Sequence, residues 1–341
     1  MKPLRKADFM AGDDSSGPEE ARAAAHSQEG GSGAHDSAAA LARSVLILAN
    51  PASGGYRPRL LQDIAARLEA RGCTVTIRLT RRAGEIGEIC ADPALRTGIL
   101  AVAGGDGSVN EAIRGFQQNT AAATPELAVI PCGTANVLAA ELKLPRSAEG
   151  IARMMLQRRS VPLHYGLANG RPFVLMASAG FDAEVVHAVP LALKRRLGKL
   201  AYVLTALDIA FSRHGEDLLV RIGDEAENGA EAGRTLTCRL AVVTKARHYG
   251  GPFVICPDGG VTRPGLHLLA LEKDTPLAAL RFGLALLTGR LHKTKGVTLV
   301  PVNSLTLTSR RAVPAQIDGD PFGVTPLTLT DGNRPLALLV G

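Results

Sequence analysis

Apolar residues fall in short runs separated by glycine-rich breaks, and the runs follow two different periods. Ser44-Val45-Leu46-Ile47-Leu48-Ala49 is a continuous apolar run, the pattern of a strand covered on both faces, and it stops at Asn50-Pro51-Ala52-Ser53-Gly54-Gly55. Pro58 near the first turn and Gly72 past the last bracket a helix with Leu60, Leu61, Ile64 and Leu68 on one face. Next, Cys73, Val75, Ile77 and Leu79 alternate with Thr74, Thr76 and Arg78, which predicts a half-buried strand. A short helix over about 84–91, a strand over 98–102, a helix over 108–116 and a strand over 127–130 follow. Strands alternating with helices predict a parallel sheet with helices on its faces and ligands at the carboxyl ends of its strands.

After about residue 160 the pattern changes. Strands are predicted over 161–168, 173–177, 218–222, 236–244, 266–271, 297–300, 305–308 and 314–317, interrupted by helices over 191–212 and 276–288. A β-dominated second domain follows, a sandwich or a sheet with helical insertions. The last strand, 336–340, is expected to return to the first domain. Residues 1–43 are rich in Ala, Gly, Ser and acids without a sustained apolar period, which predicts a disordered tail. The expected division is therefore tail 1–43, an α/β domain 44–160 joined by about 325–341, and a β-rich domain 161–324.

With 46% hydrophobic and 21% charged residues, the 341-residue chain reads as soluble and globular. Its longest apolar segments, 200–211 and 277–289, carry Asp208 and Arg281 and are too short to span a bilayer. The N-terminus lacks the apolar stretch of a signal peptide, so no export is expected. Five cysteines without a CxxC pair read as reduced core residues of a cytosolic protein. A net charge of +7 favours anionic partners. Aromatic residues, at 4%, do not interleave the arginines, so no nucleic-acid partner is expected. The histidines show no ligand spacing.

The chemistry gathers at Ala103-Gly104-Gly105-Asp106-Gly107-Ser108-Val109-Asn110-Glu111, where a buried strand breaks into three glycines around one carboxylate and a helix begins. Glycines let backbone N–H groups approach an anion, and a helix N-terminus adds positive partial charge. Asn50-Pro51-x-Ser53-Gly54 follows the first strand, and Pro131-Cys132-Gly133-Thr134-Ala135-Asn136 follows the strand after the loop. Each alone is an ordinary turn; together on one sheet edge they argue for a phosphate-bearing ligand. Gln316-Ile317-Asp318-Gly319-Asp320-Pro321, taken alone, reads as a hairpin turn.

These motifs, with Gly180-Phe181-Asp182-Ala183 and in this order over about 44–341, resemble the lipid kinase family that contains diacylglycerol kinases, sphingosine kinases and bacterial lipid kinases. NAD kinases share the glycine loop, but the Gly133-to-Ala139 run, Gly-Phe-Asp and the late Asp-Gly-acid segment are lipid-kinase-like. The resemblance implies an N-terminal nucleotide-binding α/β domain of the NAD kinase/diacylglycerol kinase kind and a C-terminal sandwich-like lipid-binding domain, with the active site between them. It implies that ATP is held by Asn50, Ser53, Gly54, Thr80, Gly104, Gly105, Asp106, Gly107, Ser108, Asn110, Glu111, Gly133, Thr134 and Asn136. It implies Mg²⁺ as well, with Asp106 positioning metal and phosphate. The base would be Asp318 or Asp320 by resemblance to bacterial diacylglycerol kinases, or Asp106 by resemblance to sphingosine kinases; Asp318 is favoured. Phe181, Asp182 and Glu184 would meet the lipid, although Glu184 also reads as a surface carboxylate. Arg195 and Arg196 would reach ATP phosphates or lipid headgroups, or simply end a solvated helix.

Departures from the family pattern are Ser108 for the usual threonine, Asp320 for a common glutamate, and Arg263-Pro264 where bacterial relatives place aspartates around a structural Mg²⁺. That structural ion is not expected here. The function implied is transfer of the ATP γ-phosphate to a hydroxyl of diacylglycerol, a sphingoid base or ceramide. The protein would be cytoplasmic and peripheral at the inner membrane face, with a homodimer admitted. A soluble-hydroxyl kinase such as an NAD kinase, or a catalytically silent lipid-binding module, stands as the alternative.

Overall fold

The computed structural model describes residues 41–180, 216–223, 231–249, 253–273 and 275–341. Residues 1–40 of the expected 1–43 tail and the expected helix over 191–212 lie outside them.

The first domain runs β1 (Ser44–Ala49), α1 (Pro58–Glu69), β2 (Thr74–Leu79), α2 (Glu85–Ala91), β3 (Ile99–Gly104), α3 (Asp106–Gln118), β4 (Glu126–Pro131), α4 (Val137–Glu141), α5 (Ala148–Gln157) and β5 (Ser160–Leu163). The continuous apolar runs become the sheet centre: every residue of β3 is buried, between β1 and β4, to which it pairs in parallel. Helix α1 presses Leu61, Ile64 and Leu68 into the core, the face its periodicity predicts, starting at Pro58 with no side-chain cap. Strand β2 departs from expectation. It pairs only with β1 at the sheet edge, and Ile77 and Leu79 are exposed rather than half-buried.

The second domain continues with β6 (Gly166–Ala168), β7 (Arg171–Phe173), β8 (Met176–Gly180), β9 (Leu218–Ile222), β10 (Thr235–Cys238), β11 (Leu240–Thr244), β12 (His248–Tyr249), β13 (Phe253–Val254) and β14 (Leu266–Leu271). After α6 (Pro276–Leu287) come β15 (Val297–Val302), β16 (Ser304–Ser309), β17 (Pro314–Ile317), β18 (Asp320–Val324) and β19 (Leu327–Asp331). Sheet β10-β9-β16-β19-β6-β7 packs on sheet β15-β14-β11-β8-β17-β18. Phe173, Val220, Val243, Leu268, Leu307 and Leu329 belong to the core they share. Finally β20 (Leu336–Leu339) crosses back, lying parallel to β4 and antiparallel to β5 in the order β2-β1-β3-β4-β20-β5.

Three expected single strands are each two. The 161–168 run leaves the first sheet after Leu163 and enters the sandwich at Gly166, with the His164 N–H bonded to the Val261 carbonyl at 2.7 Å. The 236–244 run changes sheets at Arg239, a sandwich corner. The 173–177 run breaks at Val174-Leu175, whose amides turn out of the ladder toward the site described below. Domain edges shift accordingly: β5 (160–163) belongs to the first sheet and β19 (327–331) to the sandwich. Among the described residues no helix is long and apolar enough to cross a membrane.

Candidate active site

Strands β1, β3 and β4 end level, with Ala49 opposite Ala103 and Gly104 opposite Pro131, so the three sequence loops emerge side by side. Backbone then fuses them. Asn50 N–H donates to the Ala103 carbonyl at 3.0 Å, Gly55 N–H to the Cys132 carbonyl at 2.9 Å, and Cys132 N–H to the Gly104 carbonyl at 2.9 Å. Asn50 Nδ2 reaches Ser108 Oγ at 3.4 Å. A Cβ added to Gly133 would stand 2.4 Å from the Gly105 Cα, so this contact admits no side chain. Asn136, at φ 48°, closes its own loop by accepting from Gly133 N–H and donating to the Gly133 carbonyl, both at 2.7 Å.

Asp106 sits in the first turn of α3 and caps α4: its two carboxylate oxygens accept from the amides of Val137 at 2.9 Å and Leu138 at 3.0 Å. This anion welds the glycine loop to the 131–136 loop. At the start of α3 the amides of Ser108 and Val109 donate to the Gly105 carbonyl at 3.0 and 3.2 Å, which leaves those of Asp106 and exposed Gly107 for a ligand at the rim. Gly54 and Thr134 are exposed on the same rim and Ser53 is half-buried there. Two further expected members are engaged with neighbouring elements. Thr80 is buried, with its N–H and hydroxyl on the Ala49 carbonyl at 2.9 and 3.4 Å. Glu111 stands in α3 beside α2: its backbone carbonyl is the atom a Cβ on Gly87 would meet at 3.1 Å, and its charge helps raise the Cys90 thiol of α2.

Across from the rim stands the β17–β18 hairpin. Asp318 and Gly319, at φ 50° and 88°, form its two-residue turn, with Ile317 opposite Asp320. Asp318 accepts four hydrogen bonds: Val174 N–H (2.8 Å) and Asn110 Nδ2 (2.6 Å) on one oxygen, Leu175 N–H (2.8 Å) and Met176 N–H (3.0 Å) on the other. The broken strand therefore feeds its amides to this carboxylate, and Asn110 brings α3 of the first domain to the same point. The residue keeps some surface, but its carboxyl group lies deep; burial pushes it above the ordinary carboxylate range, opposed by the four donors. Asp320 differs. It is exposed, and its Oδ2 hangs over the glycine loop, 3.7 Å from where a Cβ on Gly107 would be.

Sequence reasoning missed Lys245. This fully buried lysine follows apolar β11, and its ammonium donates to the carbonyls of Arg263 (2.9 Å) and Gly265 (2.6 Å) and to Asp331 Oδ1 (2.9 Å). Asp331 Oδ2 in turn accepts from Gly265 N–H at 2.5 Å. Burial pulls the ammonium below the ordinary lysine range and Asp331 pulls it back. The oxygens around 263–265 thus face an internal cation and do not fit a divalent ion as well. The only sequence signal was a charge at the end of an otherwise buried strand. Among the described residues no group of three or more acids, histidines or cysteines could cage a metal. Mg²⁺ fits the rim only as a partner of phosphate oxygens, with one or two carboxylates completing its shell. Phe181, Asp182, Glu184, Arg195 and Arg196 lie outside the described residues.

The family pattern described as diacylglycerol kinase catalytic domain matches residues 44–168, and that described as YegS C-terminal NAD kinase beta sandwich-like domain matches 176–340. A diacylglycerol kinase of Bacillus subtilis (strain 168) is 26% identical over 292 residues, covering 82% of this chain and 90% of its own. A "Probable lipid kinase YegS-like" protein of Chromohalobacter salexigens is 27% identical over 263 residues, covering 76% and 82%. A crystal structure of a diacylglycerol kinase from Bacillus anthracis str. Sterne superposes with a TM-score of 0.65 over 88% of this chain and 97% of that one, at 16% identity, a likeness of fold. A catalytic-domain match that takes in all three rim loops, followed in order by the sandwich match that carries the hairpin, places this chain in the diacylglycerol kinase-like lipid kinase family.

Proposed function

We propose that the protein transfers the γ-phosphate of ATP to the primary hydroxyl of diacylglycerol, with Asp320 as general base. Lipid kinase chemistry follows from the family; diacylglycerol is the acceptor in the names of several relatives. The base assignment rests on one observation, the exposed Asp320 carboxylate over the first turn of α3. It replaces the sequence preference for Asp318, whose oxygens are filled by four donors.

Phosphoryl transfer asks a protein chiefly for positioning and charge stabilisation. In this reading the amides of Asp106 and Gly107 and the rim at 53–54 and 134 receive the triphosphate. Asp320 takes the hydroxyl proton as the acceptor oxygen bonds to the γ-phosphorus and the bond to the ADP oxygen breaks. Asp318 is a positioning residue that fixes the turn carrying Asp320. Mg²⁺, when bound with the nucleotide, supplies neutralising charge, and Asp106 would hold it through the lone pairs its amide bonds leave over.

The test is transfer of labelled γ-phosphate into diacylglycerol, ceramide, sphingosine and NAD by wild type, Asp320→Asn and Asp320→Glu. Label in diacylglycerol, lost on Asp320→Asn and kept by Asp320→Glu, is the expected result. Wild-type turnover by Asp320→Asn would remove the base assignment, and label in NAD alone would remove the lipid acceptor.

A further inference from the structure

Helix α6 is apolar all round. Ala278 and Phe282 are buried, and Ala285 and Leu286 pack partly buried against the same core as Val242 and Leu269 of the sheet beneath. This stripe, at i, i+4, i+7 and i+8, fastens the helix. The opposite stripe carries Leu277, Leu284 and Leu287, exposed by 78%, 56% and 67%, the three most exposed large hydrophobic residues among those described. A helix apolar on both faces belongs in an apolar surrounding on both, and the described residues supply only one.

Its charges say which surrounding suits the other. Arg281 is exposed on the leucine stripe, and Arg290, Lys293 and Lys295 are exposed in the turn that follows. Arg281 Nη2 donates to the Lys295 carbonyl at 2.6 Å, so helix and basic turn are held as one surface. From Thr275 to Gly296 the chain has no aspartate or glutamate. A second copy fits poorly, because a two-fold contact through this patch would set like charges against each other. Protein interfaces in general are depleted in lysine. A layer of phosphate headgroups over acyl chains attracts both features, and a 12-residue helix, about 18 Å long, can lie in such a layer but not cross it.

We propose that the stripe Leu277–Leu284–Leu287, rimmed by Arg281, Arg290, Lys293 and Lys295, docks the protein on an anionic bilayer, leucines among the acyl chains and cations over the headgroup phosphates. The proposal deepens the lipid kinase reading by naming the surface through which a bilayer-borne acceptor is approached, and it rests on that reading only for its purpose.

Flotation of the full chain with phosphatidylcholine vesicles, with and without phosphatidylglycerol, tests it directly. Wild type should float with phosphatidylglycerol vesicles and release at high salt. Leu277→Ser, Leu284→Ser and Leu287→Ser combined should lose binding at least tenfold, with the unfolding temperature unchanged because these side chains are already in water. Arg290→Ser, Lys293→Ser and Lys295→Ser combined should lose about fivefold per charge removed, and only on anionic vesicles. Kinase assays on the leucine variant should show a raised KM for vesicle-borne lipid and an unchanged rate on a monomeric short-chain acceptor.

Vesicle binding untouched by the leucine changes, or indifferent to phosphatidylglycerol, would overturn the proposal. So would a dimer that the leucine changes dissociate while vesicle binding persists, since the stripe would then cover a second copy. Flotation needs no turnover, so absence of kinase activity on every acceptor would count against the kinase reading and leave the docking result standing.

Discussion

Asp318 and Asp320 are two residues apart on one turn, and their surroundings give them different work. Asp318 spends its lone pairs on four donors, while Asp320 keeps an exposed carboxylate over Gly107. Asp320→Asn should lower turnover by about 10²–10⁴-fold with the unfolding temperature preserved, the loss expected for one general base. Asp318→Asn should instead cost stability, because an amide NH₂ would face a backbone N–H; about 1–3 kcal/mol per unsatisfied group is expected in a denaturant titration. The sequence named both acids and, by resemblance, favoured Asp318; the donors that set the two apart arrive from residues 110 and 174–176. Cysteine chemistry was more legible. All five thiols are free; burial raises Cys132, pushes Cys256 up to about 11 and Cys238 up to about 12, and raises Cys90 further. Titration of the native protein with a thiol reagent should find Cys73 reacting fast and the other four only on unfolding.

At the scale of elements, the rim depends on two loops meeting backbone to backbone at Gly105 and Gly133. Gly133→Ala should force them apart at a cost of about 1–3 kcal/mol and weaken nucleotide binding measured calorimetrically. Gly170→Ala is the contrast. Its φ of 78° makes the alanine strained, but nothing lies within 4 Å of the new Cβ, so about 1–2 kcal/mol of stability should go with nucleotide affinity unchanged. Strands β1–β4 and helices α1–α3 were read closely, because a continuous apolar run admits little else in a sheet covered on both faces, whereas α4 and α5 were not read. Strands that change sheets were not. At His164, Arg239 and Val174-Leu175 the apolar run continues while the chain moves from one hydrogen-bonded partner to another, and hydrophobicity does not record which partner a backbone has.

The two domains are joined by the returning β20, by Asn110 on Asp318, and by Glu141 of α4, which accepts from Arg247 N–H at 2.8 Å and meets His248 Nδ1 at 2.5 Å. Within the sandwich, Lys245 provides the cation at the 263–265 turn. Without nucleotide, the unfolding temperature should therefore be insensitive to a chelator, whereas Lys245→Met, which leaves Asp331 without its cation, should cost about 3–5 kcal/mol. A fall in unfolding temperature on chelation would contradict the ammonium's role. By itself the sequence determined the strand–helix alternation up to β4, the three rim loops, the late acidic turn and the family they signal. Those are local properties, set by periodicity, glycine and the residue types that phosphate chemistry requires. Only the tertiary structure decided which aspartate is exposed, that Asp106 caps a helix, that Thr80 is buried on the Ala49 carbonyl, and that a lysine occupies an oxygen cradle. Each of these depends on partners 18 or more residues away in the chain, and a carboxylate's role is fixed by the donors that reach it.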